Sequence, residues 1–381
     1  MKLPNGFQAA GISAGLKRSG RPDLALIYAP GPVTWAFTGT TNVVQAPCVT
    51  RNRALYQDLA GVRAVIVNSG NANCANGPAG ARDNDTFAAE TAAQLGLAAG
   101  QVLTASTGII GRPMPMEPLM AGLPATKAAL SDEADAFARA ILTTDLVPKL
   151  AETHVTGGAR VVGATKGSGM IHPNMATMLA FVMTDAAVDQ ATLSALWPRV
   201  VDASFNQLTV DGDTSTNDMA IVLASGLVPS DPQELEKALL EVCASLAKQI
   251  ARDGEGATRL MTVRVTGAAS AAEARAAAKT VAGSSLVKTA VHGADPNWGR
   301  ILAAAGRSGA ASDPTRARVA AQGFTLYQGE PLPFDEATVS QALRAEEVLL
   351  EVDLAAGDYG AEAWGCDLSA EYVRINADYT T

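Results

Sequence analysis

Lys166-Gly167-Ser168-Gly169-Met170-Ile171-His172-Pro173-Asn174-Met175-Ala176-Thr177-Met178-Leu179-Ala180-Phe181 is the stretch on which the fold turns. Its first half is made of small residues and interrupted by a proline, whereas its second half opens an apolar run that continues through Val182 and Met183. That change reads as a loop delivering a threonine to the edge of a buried strand. A threonine in such a run is ordinarily only a β-branched strand residue. As a nucleophile it would need a base, and neither a G-x-S-x-G elbow nor a Ser-His-Asp order accompanies it. Cutting the chain before Thr177 would free an α-amine of pKa about 7.7–8.0 beside the hydroxyl, so that nucleophile and base share one residue.

Downstream, TMLAFVMTDAAV continues as a strand, residues 190–203 as a helix and MAIVLASGLV as a second strand. PQELEKALLEVCASLAKQIAR carries apolar residues at helical spacing and reads as a long amphipathic helix. RLMTVRVTGA is a strand, AAEARAAAKT a helix, and segments 317–327, 347–354 and 370–375 are read as strands. Upstream, Ala64–Val67 is a short strand running into the turn-rich NSGNANCANG of 68–77. Asp83 or Asn84 can cap a helix over DTFAAETAAQLGL, and QVLTAS resumes an extended run before STGIIG. The order of helices and strands is mixed, which favours a layered α+β fold over a doubly wound sheet.

The 381 residues are 48% apolar, enough for a large core. With 38 acidic against 29 basic residues the formal charge is −9, which offers no footprint for nucleic acid or an anionic membrane and favours a small-molecule role. MKLPNGFQAAG has neither the apolar core of a signal peptide nor the Arg-rich pattern of a transit peptide, so the expected compartment is the cytoplasm. Cys48, Cys74, Cys243 and Cys366 lack CxxC spacing, and His154, His172 and His292 lack H-E-x-x-H spacing, so neither a disulfide framework nor a metal site is expected. The acidic VDGDTSTND lacks EF-hand spacing and reads as a hydrogen-bonded turn; Asp295-Pro296-Asn297-Trp298 reads as a rigid turn with the indole packed or lining a pocket.

The segment KGSGMIHPNMATMLAF resembles the self-cleavage signature of the ornithine acetyltransferases, the glutamate N-acetyltransferases of arginine biosynthesis. NSGNANCANG, STGIIG, LTTD (142–145), SFNQLTVDGDTSTND (204–218), DGEGATR (253–259), GADPNWGR (293–300) and INADYTT (375–381) also resemble that family, in order along nearly the whole chain. The resemblance implies an α+β sandwich of the aminopeptidase and ornithine acetyltransferase type, cut between Ala176 and Thr177 into an α chain (1–176) and a β chain (177–381) that form one intertwined unit. It implies transfer of acetyl from N2-acetylornithine to glutamate through an acetyl-Thr177, with no organic cofactor or metal, acetyl-CoA serving as a further co-substrate in bifunctional members. The implied assembly is a heterotetramer of two α and two β chains. A self-cleaving aminopeptidase or amidase of the same fold is the alternative enzyme, and a scaffold that never cleaves is the alternative outside catalysis.

Carried over by position, Thr107 and Gly108 would form the oxyanion hole, one through its hydroxyl and the other through its N–H. Without the resemblance, Ser106-Thr107-Gly108 would read as a helix-capping turn. Lys166 and Thr177 would contact substrate, together with one threonine of LTTD, for which spacing favours Thr143 over Thr144. Lys166 could otherwise be a solvated loop lysine and Glu255 an exposed acid after a helix. The resemblance instead gives Glu255, Asn376 and Thr381 substrate-binding roles.

Overall fold

Three sheets organise the computed structural model, which describes residues 1–172 and 178–378. The first half of the chain contains β1 (Gln8–Ile12), β2 (Leu24–Tyr28), β3 (Thr34–Gly39), α1 (Pro47–Gln57), β4 (Ala64–Asn71), α2 (Gly77–Leu95) and β5 (Val102–Ile109). It continues with α3 (Met116–Ala128), α4 (Asp135–Ala140), β6 (Lys149–His154) and β7 (Arg160–Lys166). After residue 177 come β8 (Leu179–Ala187), α5 (Gln190–Ala203), β9 (Met219–Pro229) and α6 (Pro232–Arg252). The remainder is β10 (Leu260–Ala268), α7 (Ala271–Ala282), α8 (Ser285–Gly293), α9 (Trp298–Gly306), β11 (Arg318–Ala321), β12 (Phe324–Gln328), α10 (Glu336–Ala342), β13 (Glu347–Asp353), β14 (Tyr359–Cys366) and α11 (Ala370–Asp378).

Two compact units result. The first takes most of the chain up to Leu246 and holds two sheets, ordered β1-β2-β4-β5 and β3-β9-β8-β7-β6. Between their facing surfaces lies a core that includes Ile27, Val65, Val67, Leu103, Phe137, Val162, Phe181 and Ile221. The other face of the first sheet is closed by α2 and α3 through Leu24, Ile66, Phe87, Leu119 and Leu123. On the outer face of the second sheet, a Cβ at Gly163 would meet Leu246 and Val242 of α6 at 2.7 and 2.8 Å, so the helix can press onto the strand only because that residue has no side chain. The layers therefore run helix, sheet, sheet, helix, as two half-apolar sheets and two amphipathic helix layers require. The second sheet joins strands from both sides of residue 177: β7 pairs antiparallel with β8, and β8 pairs parallel with β9.

The second unit contains the chain from Ala247 onward, with Gln207–Gly212 and the pair 171–172. Its sheet, β12-β11-β13-β10-β14, buries Val263, Val265, Leu350 and Val352 against α7, α8 and α9. Trp298 stacks on Tyr327 with ring centroids 5.0 Å apart, so the indole is packed as expected.

Two expectations are corrected. Segment 370–375, read as a strand from its Val373 and Ile375, is the exposed helix α11: Glu371 and Arg374 form an i,i+3 ion pair on it, and Ala370 and Glu371 are better helix than strand formers. The helix predicted to be capped by Asp83 or Asn84 begins seven or eight residues earlier, at Gly77, with Pro78 in the first turn where its missing N–H costs nothing. All four cysteines are buried free thiols, and burial pushes the Cys48 thiol up to about 12. Among the described residues no helix is long and apolar enough to cross a membrane, and no group of three or more His, Cys, Asp or Glu side chains could hold a metal ion.

Candidate active site

In the first unit, β4 and β5 run parallel until a bulge sets Gly70 opposite Gly108. Gly108 has φ +131°, and a Cβ there would lie 2.4 Å from the Gly70 carbonyl carbon and 2.6 Å from the Asn71 nitrogen. Both facts demand glycine. STGIIG is thus the end of a strand pressed against its neighbour, with Thr107 buried and Gly108 half-buried.

A polar network fixes that strand end from behind. Ser106 Oγ donates to Asn68 Oδ1 at 2.7 Å, and Asn68 Nδ2 donates to the Asn71 carbonyl at 2.8 Å. Asn71 Nδ2 donates to the Pro113 carbonyl at 3.0 Å and so ties down the chain beyond Gly111. From the segment before β9, Asn217 Nδ2 donates to the carbonyls of Ala72 at 2.6 Å and Ser106 at 2.9 Å. Asn217 is 3% exposed, and an amide there can bridge the two strand ends because it offers two N–H donors to two carbonyls.

Lys166 is not a solvated loop lysine. It is the last residue of β7, pairs with Leu179, and its side chain is buried. Its Nζ donates to Thr107 Oγ1 at 3.4 Å, bringing two of the sequence-predicted residues together. Thr143 approaches the same place through Asp145, whose Oδ2 accepts the Thr143 N–H at 2.9 Å while its Oδ1 accepts the Gly167 N–H at 2.7 Å. Oδ1 also accepts Lys149 Nζ at 2.7 Å, with both side chains at 0% exposure. Burial alone would raise the Asp145 carboxyl, but the Lys166 and Lys149 ammonium groups and the Thr143 N–H hold it well below the usual carboxylate range.

Asp218 precedes β9 and behaves in the opposite way. Its Oδ1 accepts the Met178 N–H at 3.0 Å. Burial lifts its carboxyl well above the usual range despite the opposing Met178 N–H, Lys166 and Ser215. Lys17 is half-buried, and its amine is pushed down to about 8 by burial and by neighbouring Arg21 and Lys166.

In the second unit, Asn376 Nδ2 donates to Glu255 Oε2 at 2.9 Å, joining two more predicted residues. The contact depends on Gly256, at φ +70°, where a Cβ would lie 2.5 Å from the Tyr372 nitrogen of α11. Ala176, Thr177 and Thr381 lie outside the described residues. Asp145, Lys149, Asn217, Asp218 and Lys17 were not singled out by the sequence as site residues. The first, third and fourth fall inside quoted motifs, but a buried acid and a surface acid look alike in a string of letters.

The family model for the ArgJ family matches residues 8–381. The chain belongs to the ArgJ family. An "arginine biosynthesis bifunctional protein ArgJ" from Thermus thermophilus is 56% identical over 385 aligned residues that take in 100% of both chains. The protein of the same name from Deinococcus radiodurans is 53% identical, covering 100% of this chain and 98% of its own. A solved structure of arginine biosynthesis bifunctional protein ArgJ from Bacillus halodurans is 46% identical with TM-score 0.51, over 52% of this chain and 98% of that one. This ArgJ-family protein is therefore a glutamate N-acetyltransferase of arginine biosynthesis with the α+β fold of the ornithine acetyltransferases, a family marked by autocatalytic cleavage.

Proposed function

We propose that this chain cuts itself between Ala176 and Thr177, and that Thr177 then carries acetyl from N2-acetylornithine to glutamate. The observation that carries the reading is the convergence of Lys166 on Thr107, 3.4 Å apart, at the end of the sheet where β8 begins two residues after Thr177. Fragments 1–176 and 177–381 stay together after scission because β7 and β8, on either side of the cut, remain hydrogen-bonded in one sheet. The solved Bacillus halodurans chain corresponds to only 52% of this one, which is consistent with a chain in two pieces.

In the transfer, the free amine of Thr177 takes the proton of Oγ as the oxygen attacks the acetyl carbonyl. Thr107 Oγ1–H and the Gly108 N–H receive the developing oxyanion, and a preorganised donor of this kind is worth about 3–4 kcal/mol. Ornithine leaves with the proton, and glutamate attacks the acetyl-threonine in a second, mirror-image step. Lys166 attracts the substrate carboxylate and favours the free amine of Thr177, and Thr143 is a further substrate contact. Glu255 and Asn376, with Thr381, hold the substrate's amino-acid groups. Successive use of the same threonine by two amino acids gives ping-pong kinetics, and acetyl-CoA can acylate that threonine as an alternative donor. The working form is a cytoplasmic assembly of two α and two β chains.

The test is the denatured mass of the wild type and of Thr177→Ala, with acetyl transfer assayed in parallel. Two wild-type fragments that divide at residue 176, an intact inactive variant and parallel double-reciprocal lines are expected. An intact wild type that still transfers acetyl would sink the free-amine mechanism.

A further inference from the structure

Asp218 is a buried carboxyl, 1% exposed, that the transfer steps do not use. One oxygen is committed: Oδ1 accepts the N–H of Met178, the amide joined to the carbonyl carbon of Thr177. The other, Oδ2, is buried and has no hydrogen-bond partner among the described residues. A buried polar atom without a partner costs about 1–3 kcal/mol, so such an atom is normally retained for a reason other than stability. The register accounts for its place. Leu179 and Met219 are opposite each other in the parallel pair β8–β9, which sets Met178 and Asp218 side by side at the strand starts. The Asp218 carbonyl is itself held by the Thr40 N–H at 2.9 Å, so the carboxyl is carried on a fixed backbone.

The nitrogens of residues 177 and 178 are successive backbone nitrogens, which bond lengths keep within about 4 Å of each other. A carboxyl hydrogen-bonded to the second at 3.0 Å therefore lies within about 7 Å of the first. We infer that Asp218 is the proton carrier of self-cleavage, donating the proton taken up by the Thr177 nitrogen as its bond to Ala176 breaks. The inference rests on the proposed scission before Thr177.

The step balances without any added reagent. Thr177 Oγ bonds to the Ala176 carbonyl carbon, the bond from that carbon to the Thr177 nitrogen breaks, and the Asp218 carboxyl proton passes to the nitrogen. The hydroxyl proton released from Oγ restores the carboxyl. Water then hydrolyses the ester, returning the Thr177 hydroxyl and leaving a carboxylate on Ala176. A general acid must hold its proton at working pH, and burial moves the Asp218 carboxyl in that direction, well above the usual carboxylate range. The groups that oppose this are the Lys166 ammonium from β7, the Met178 N–H at the start of β8, and Ser215 in the segment before β9; they lower the carboxyl without overcoming the effect of burial.

Cell-free synthesis of the full chain over about pH 6–9, followed by denatured mass, tests this. Wild type is expected to split at a rate that does not rise with pH and that falls wherever the carboxyl loses its proton. Asp218→Asn keeps an oxygen for the Met178 N–H but carries no transferable acid proton; it is expected to split about 100-fold more slowly or not at all, with that fall removed. A wild type that never splits overturns the scission reading and this inference with it. A wild type that splits, alongside an Asp218→Asn chain splitting at the same rate, overturns the inference alone. Should Asp218→Asn prove insoluble, the wild-type profile decides, and a rate that rises with pH throughout refutes proton donation by Asp218.

Discussion

Replacing Lys149 by methionine takes an ammonium away from a carboxylate that has no access to water. Asp145 and Lys149 are both at 0% exposure and 2.7 Å apart. Removing one member of a buried ion pair costs about 3–5 kcal/mol, because the survivor's charge loses its partner and cannot be rehydrated. Asp145 would keep the Gly167 and Thr143 N–H groups at 2.7 and 2.9 Å, together with the field of Lys166, so the lower end, about 3 kcal/mol, applies to Lys149→Met. Asp145→Asn takes the carboxylate away from the Lys149 ammonium, which keeps the Val147 carbonyl at 3.4 Å, and sets an amide where two N–H donors converge, at a similar cost of about 3 kcal/mol. In the double variant no charge of the pair is stranded, so its cost should be about 3–4 kcal/mol, well short of the sum, with a coupling of about 2–3 kcal/mol. Urea titration in a Thr177→Ala background, where the polypeptide stays in one piece, measures all four corners of the cycle. The sign with pH follows from the lowered carboxyl: the stabilisation is present above the unfolded value near about 3.9 and is lost as pH falls through the folded one. The advantage of wild type over Asp145→Asn should therefore be level from about pH 5 to about pH 8 and shrink only in acid. Additive costs, or an advantage that changes near neutrality, would refute the account of the pair.

Gly108→Ala forces a side chain to within 2.4 Å of the Gly70 backbone at φ +131°, so it should cut both scission and acetyl transfer by about 100-fold or more, read by fragment mass and turnover; retained activity would mean that this strand end is not the oxyanion hole. Asn217→Asp turns two donated hydrogen bonds into oxygens facing the Ala72 and Ser106 carbonyls and should cost about 3 kcal/mol by urea midpoint, whereas a neutral result would show the bridge to be dispensable. Lys17, lowered to about 8, should be about half neutral at that pH and react with an amine-acylating reagent about 100-fold faster than an ordinary lysine. Because its folded pKa is depressed, the unfolded chain binds more protons between about pH 8 and about pH 10, so Lys17→Met should remove a rise of stability with pH in that window, seen by comparing urea midpoints.

The parts of the fold legible from the letters were those with a local cause. TMLAFVMTDAAV and MAIVLASGLV read as strands because both are apolar for longer than a turn could be, and they are the adjacent buried strands β8 and β9. The long helix over 232–252 announced itself by its spacing, whereas YVRIN (372–376) imitated a strand and formed a helix, with Glu371 and Arg374 paired along it. The ordered motifs fixed the family, and with it the activity, without any coordinates.

Sequence alone also named Thr107, Gly108, Lys166, Glu255 and Asn376, because each sits in a motif whose letters are themselves unusual. Only the tertiary structure could say why Gly108 must be glycine: the atoms it would strike belong to Gly70 and Asn71, almost forty positions earlier in the chain. Only the structure separated Asp145 from Asp218. Both acids are buried, but in one the two ammonium groups and the N–H donors outweigh burial and hold the carboxyl low, while in the other burial outweighs Met178, Lys166 and Ser215 and lifts it. A carboxyl's charge state is set by what surrounds it, and those surroundings are assembled from strands far apart in sequence.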